Sequence, residues 1–127
     1  MSGTDRGTVI VVVSDQVATE LAPELERHGY AVERIADLGL VPARMRLLDC
    51  TAGVILERAW LGMKDIMTLA TCRELRPALV LILLSQHAST SDLKRGLETG
   101  ATAVLPRPWN PITVVDTLDR AASHRSA

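Results

Sequence analysis

Thr8–Val13 reads TVIVVV, a run that is β-branched along its length. Branching at Cβ suits a pleated strand, and a short run with no polar alternation suits one buried on both faces. The pattern returns three times, as AGVIL at Ala52–Leu56, ALVLILL at Ala78–Leu84 and ATAVL at Ala101–Leu105. A weaker segment, YAVERI at Tyr30–Ile35, alternates and suits a strand at a sheet edge. The spacings are too wide for hairpins. Continuous apolar strands mean that helices cover both faces, as they do in a parallel sheet.

The intervening segments supply those helices. Gln16–His28 carries Leu21, Leu25 and His28 at helical spacing and stops at Gly29, a natural residue just past a helix end. Asp65–Arg76 places Ile66, Leu69 and Ala70 on one stripe and halts before Pro77. Ser91–Thr99 opens on a capping residue and runs into Gly100. Asn110–Ala122 opens Asn-Pro, a cap followed by proline at the first helical position, and continues with Ile112, Val115 and Leu118. Pro42–Asp49 has the weakest helical pattern, with Met45 and Leu48 expected toward the sheet and Arg44 and Arg46 toward water. Five β–α units joined by right-handed crossovers give a doubly wound α/β sandwich. One domain over residues 1–127 is expected, with Met1–Gly7 and Ser123–Ala127 as loose tails.

Composition narrows the function. Lys and Arg number 14 against 15 Asp and Glu, a net charge of −1 that gives no basic face for nucleic acid. The aromatics are Trp60, Trp109 and Tyr30, too few for base-stacking platforms. The longest apolar run, Ala78–Leu84, falls far short of the roughly 20 residues of a membrane span. The opening MSGTDRGT has no apolar core of a secretion signal, so a soluble, cytoplasmic chain is expected. Cys50 and Cys72 form neither a disulfide framework nor a metal knuckle, and read as thiols of a reducing compartment. His28, His87 and His124 lack metal-ligand spacing.

In such sheets, ligands and reactive groups collect at the carboxyl ends of the strands. There the sequence places Ser14 and Asp15 after the first strand, and Glu57 and Arg58 after the third. Ser85 and Gln86 follow the fourth strand; Pro106, Arg107 and Pro108 follow the fifth. This constellation, carried by VVVSDQ, GVILERAWLGM, LILLSQH and GATAVLPRPW, resembles the receiver domain of two-component response regulators over almost the whole chain. The string at Gly100–Trp109 is its most specific part. The resemblance implies a flavodoxin-like three-layer sandwich with a five-stranded parallel sheet in the order 2-1-3-4-5. It implies bacterial phosphorelay signalling, with a histidine kinase, an output domain or another regulator as protein partner. It also implies a dimerisation face built from the fourth helix, the fifth strand and the last helix. No nucleic-acid or membrane contact is expected within this chain.

Six positions test that resemblance. The aspartate that accepts the phosphoryl group in the family is Glu57 here, the acidic Mg²⁺-binding pair is reduced to Ser14 and Asp15, and the lysine is Arg107. The usual aromatic on the fifth strand is Val104; only the hydroxyl, Ser85, is kept. Glutamate moves its carboxylate by about 1.5 Å relative to aspartate. Misplacement by about 1 Å costs in-line phosphoryl transfer on the order of a hundredfold. The expectation is therefore a degenerate receiver that is not an enzyme beyond residual autophosphorylation, needs no cofactor, and holds Mg²⁺ weakly or not at all through Asp15, Ser14 and Glu57. A bidentate Glu57–Arg107 pair is expected to mimic the phosphorylated state. The plainer alternatives are a solvated ion pair there, and Ser14 and Asp15 serving only to cap the first helix. Trp60 and Trp109 are candidate interaction residues, with packing over their own loops as the alternative, and Val104 is expected to leave the partner face static. The competing functions are a conventional phosphoaccepting receiver and a small-molecule-binding flavodoxin-like domain.

Overall fold

The computed structural model describes residues 6–86, 94, 97, 98 and 100–126. The elements run β1 (Thr8–Val12), α1 (Asp15–Arg27), β2 (Ala31–Arg34), a 3-10 turn at Leu38–Leu40, α2 (Val41–Leu47), β3 (Thr51–Arg58), α3 (Met63–Leu75), β4 (Val80–Ser85), β5 (Ala103–Pro106) and α4 (Pro111–Ser126). The five strands form one sheet in the order β2-β1-β3-β4-β5, every pairing parallel. The flavodoxin-like sandwich expected from the sequence is the observed architecture. The predicted helix Ser91–Thr99 lies largely outside the described residues, although Lys94, Leu97 and Glu98 are helical.

Alternate residues of each apolar strand enter opposite sides of the sheet, because side chains alternate with period 2. Val9, Val11, Ile55, Ile82 and Leu84 meet Leu21 and Leu25 of α1 and Val114, Val115 and Leu118 of α4. Ile10, Val12, Val54, Leu56, Leu81 and Leu83 meet Val41 and Met45 of α2 and Leu69 and Cys72 of α3. Cys72 is fully buried, and burial pushes its thiol up to about 11, so it is a packing residue. Gly53 allows the close approach of α4: a Cβ there would lie 2.9 Å from Leu118 Cδ1 and 3.0 Å from the Val80 carbonyl.

The end of α1 shows how the sequence stops a helix. Gly29 adopts φ 90°, its N–H donates to Glu26 O, and Tyr30 N–H donates to Leu25 O. These paired bonds satisfy the last carbonyls and turn the chain into β2. Tyr30 is buried and donates to Asp119 Oδ1 at 2.8 Å, while His28 Nδ1 lies 2.5 Å from Asp119 Oδ2. Arg6 pairs with Asp119 at 3.0 Å and stacks 4.7 Å from the Tyr30 ring. Arg6 and Gly7, expected in a loose tail, are thus tied down, and Ser123 lies inside α4.

Two boundaries and one buried face differ from the sequence reading for identifiable reasons. Strand β3 extends through Glu57 and Arg58, since both stay in register with Leu84 and Ser85 of β4. Helix α3 starts at Met63, where the Asp65 carboxylate accepts from Gly62 N–H at 3.2 Å. Ala70, expected on the buried stripe, is exposed; Leu69 and Cys72 carry the packing. Met45 is buried and Leu48 packs against the same cluster, as expected.

Candidate functional site

At the carboxyl edge of the sheet, the β1–α1 turn, the ends of β3 and β4 and the loop after β5 come together. Glu57 is the centre of this edge. Its Oε1 accepts from the backbone N–H of Ser14 at 2.7 Å, and its Oε2 accepts from Gln86 Nε2 at 3.2 Å. Gln86 is itself fixed, because its backbone N–H donates to Arg58 O at 3.0 Å. One carboxylate therefore bridges β1, β3 and β4. The positive end of α1 lies beside it, an arrangement that favours an anion.

The neighbouring acid is committed elsewhere. Asp15 is ion-paired with Arg34, whose Nη2 also donates to the Val13 carbonyl at 3.0 Å. Ser14 caps α1, its Oγ accepting from Val17 N–H at 3.4 Å. The capping alternative thus describes Ser14, while Asp15 adds an ion pair the sequence reading did not contain. Ser85 is buried at 3% exposure, in register with Arg58 and Pro106. Arg58 reaches toward Asp65 at 3.6 Å and its Nη1 donates to Glu57 O.

Arg107 corrects an expectation. No salt bridge joins it to Glu57 among the described residues. Its guanidinium lies over Trp109 instead, 5.5 Å from the ring centroid, beside a cis Arg107–Pro108 peptide. A cation at that distance is attracted by the ring face, and the partner two residues away needs little ordering of the chain. Trp109 in turn is half-buried against the α1/α4 core, with its indole N–H donating to Leu105 O at 2.9 Å. It packs against the core rather than over its own loop. Val104 packs, half-buried, against the α2/α3 core. Trp60 is different: it is 69% exposed, beside the site.

The Mg²⁺ site implied by the resemblance fits this donor set poorly. Both Glu57 oxygens already accept hydrogen bonds and Asp15 faces a guanidinium, whereas Mg²⁺ demands several free, rigidly placed oxygens. Among the described residues, no three His, Cys, Asp or Glu side chains gather as a metal site.

The same backbone occurs in solved structures. A Methanospirillum hungatei response-regulator receiver domain superposes with TM-score 0.75 at 21% identity, covering 94% of this chain and 96% of that one. This chain has the receiver fold. An orphan response regulator of H. pylori matches with TM-score 0.79 at 12% identity, over 94% and 98% of the two chains. A protein of Burkholderia pseudomallei described as pilus assembly-related matches with TM-score 0.76 at 23% identity, over 97% and 92%. No family model and no curated protein matches the sequence.

Within the receiver fold, Glu57, Ser85 and Arg107 do lie at the ends of β3, β4 and β5, as the sequence implied. Sequence reasoning missed Arg34 and Gln86 as site residues. Arg34 carried a signal, since β2 is the edge strand beside β1 and its last residue reaches the carboxyl edge. Gln86 was visible only as the residue after Ser85.

Proposed function

We propose that this chain is a degenerate receiver that signals through protein contacts, with Glu57 standing permanently where a phosphoaspartate would form. The observation that carries the reading is the engagement of both Glu57 oxygens by the chain's own donors. A nucleophilic carboxylate must hold an oxygen in line with the phosphorus, and these two bonds fix the Glu57 oxygens toward the β1–α1 turn and Gln86 instead. The longer side chain reaches the β1–α1 turn without any phosphoryl group. Asp15, held by Arg34, does not supply a second free ligand.

The partner surface in this reading is the one the resemblance implies, around Leu97, β5 and α4, where Leu97 and Ile112 are exposed. Val104 offers no ring to swing between buried and exposed positions, so the face is presented constantly. The partner is a kinase, an output domain or another regulator. No described helix is long and apolar enough to cross a membrane, and a cytoplasmic setting accords with signalling of this kind.

The test is phosphorylation by a small-molecule phosphodonor with Mg²⁺, read by intact mass. The parent should gain no phosphoryl group. Phosphorylation of the parent that Glu57→Gln abolishes would show Glu57 to be a true acceptor and end the proposal. A second reading, a small-molecule-binding domain, has one observation behind it: a cavity of about 320 Å³ at the amino ends of the strands, lined by Arg6, Tyr30, Cys50 and Arg76. Ligand binding there would be indifferent to Glu57 substitutions, which separates the two readings.

A further inference from the structure

Helix α3 is tied to the sheet by Leu69 and Cys72, both buried. Its opposite side is also apolar. Met63 is 72% exposed, Met67 is 63% exposed and Ala70 is exposed, and the exposed Trp60 lies in the loop just before the helix. Steps of three and four residues keep such positions on one helix face. Long hydrophobic side chains gathered in one exposed row mark an interaction surface, and methionine adapts its shape to whatever it meets.

Two charges frame the row. Lys64 lies at its amino end and Glu74 at its carboxyl end, and neither makes a salt bridge among the described residues. Ten residues separate them, about 15 Å along the helix axis. We propose that the solvent face of α3 docks antiparallel on the same face of a second copy of this chain, pairing Lys64 of each copy with Glu74 of the other. A two-fold axis crossing the solvent face at the height of residue 69 brings these charges level. It also sets Met63 opposite Leu75, which is exposed, and Met67 opposite Thr71. A parallel arrangement would instead stack lysine on lysine and glutamate on glutamate. The pairing is isologous and therefore closes at two copies.

One helix row presents far fewer residues than the roughly 20–30 a side of a standard stable interface of about 800 Å² per partner. The dimer is accordingly weak. The surface is distinct from the one around β5 and α4, and the proposal does not depend on how Glu57 is used.

Sedimentation equilibrium from about 10 µM to about 1 mM tests it, since a weak dimer is populated within that span. The parent should dimerise, with Trp60 emission shifting to shorter wavelength as the ring leaves water. Met67→Glu should leave a monomer with an unchanged circular dichroism spectrum. Lys64→Glu should weaken the dimer about tenfold, and adding Glu74→Lys should bring it back to within about threefold of the parent. A parent that stays monomeric throughout, with another protein covering the row, overturns the proposal. So does a dimer that survives Met67→Glu. A dimer unchanged by Lys64→Glu, or not rescued by the swap, overturns the antiparallel register.

Discussion

Glu57→Asp, made together with Ser14→Asp, probes the site most directly. Shortening residue 57 by one methylene withdraws the carboxylate by about 1.5 Å. The bonds from Ser14 N–H and Gln86 Nε2, at 2.7 and 3.2 Å in the parent, then open beyond hydrogen-bonding reach. A hydrogen bond to a charged group contributes about 1.5–3 kcal/mol. Glu57 is only half-buried, so water replaces part of what is lost and about 1–2 kcal/mol is the expected net cost. For a domain of this size that lowers the melting temperature by about 3–8 °C. Ser14→Asp adds little cost at the helix cap, because aspartate caps as well as serine. It does gather three carboxylates at one edge, and their repulsion adds to the loss until a cation arrives. Mg²⁺ at about ten times its dissociation constant should then restore about 1.4 kcal/mol. The parent should gain almost nothing from the same addition. Thermal melts followed by circular dichroism, with and without Mg²⁺ and beryllofluoride, read both effects. A parent stabilised by Mg²⁺ as strongly as the double variant would refute the reasoning, for it would show that Glu57 and Asp15 are free to ligate.

Tyr30, the single tyrosine, is held neutral far above the usual phenol range by burial and by its bond to Asp119. Its folded-state ionisation is raised, so the stability it contributes is whole below about pH 10 and is lost as pH rises further. Phenolate absorbance should therefore emerge only with unfolding, and Tyr30→Phe should remove that alkaline loss while costing about 1.5–3 kcal/mol at neutral pH. Gly53→Ala should destabilise by about 1–3 kcal/mol in a denaturant titration, because the added Cβ meets Leu118 and a strand carbonyl. Arg34→Met should change stability by less than about 1 kcal/mol, since its pair with Asp15 is exposed. Added to the Ser14→Asp, Glu57→Asp double variant, the same change should strengthen Mg²⁺ binding in calorimetry, because it releases Asp15.

The sheet was legible because its information is local and redundant. Val9 to Val12, Val54 to Leu56 and Val80 to Leu84 are apolar at every position, and only burial on both faces accommodates that. Gly29 and the Asn110-Pro111 pair marked helix ends through backbone chemistry that a sequence displays openly. The site was half legible. Glu57, Ser85 and Arg107 reach one edge because strands end there, which follows from topology. Which partner each charge chooses depends on side-chain reach in three dimensions. Arg107 had a ring two residues away, and Glu57 had a backbone N–H aimed at it from the start of α1. Asp15 met Arg34 because β2 lies beside β1, and no spacing along the chain announces that contact.

In a working receiver, chemistry at the end of β3 sets how the ends of β1, β4 and β5 are arranged. Here Glu57 joins the β1–α1 turn to the residue after β4 through two hydrogen bonds that need no reaction. The cation after β5 lies over Trp109, which is packed against the core, rather than over Glu57. On the degenerate reading proposed above, regulation enters elsewhere, through the amount of protein or through what docks on its surface. The dimer proposed on α3 would be a route of the second kind: because a weak dimer forms in proportion to the square of concentration, local enrichment alone would switch its state.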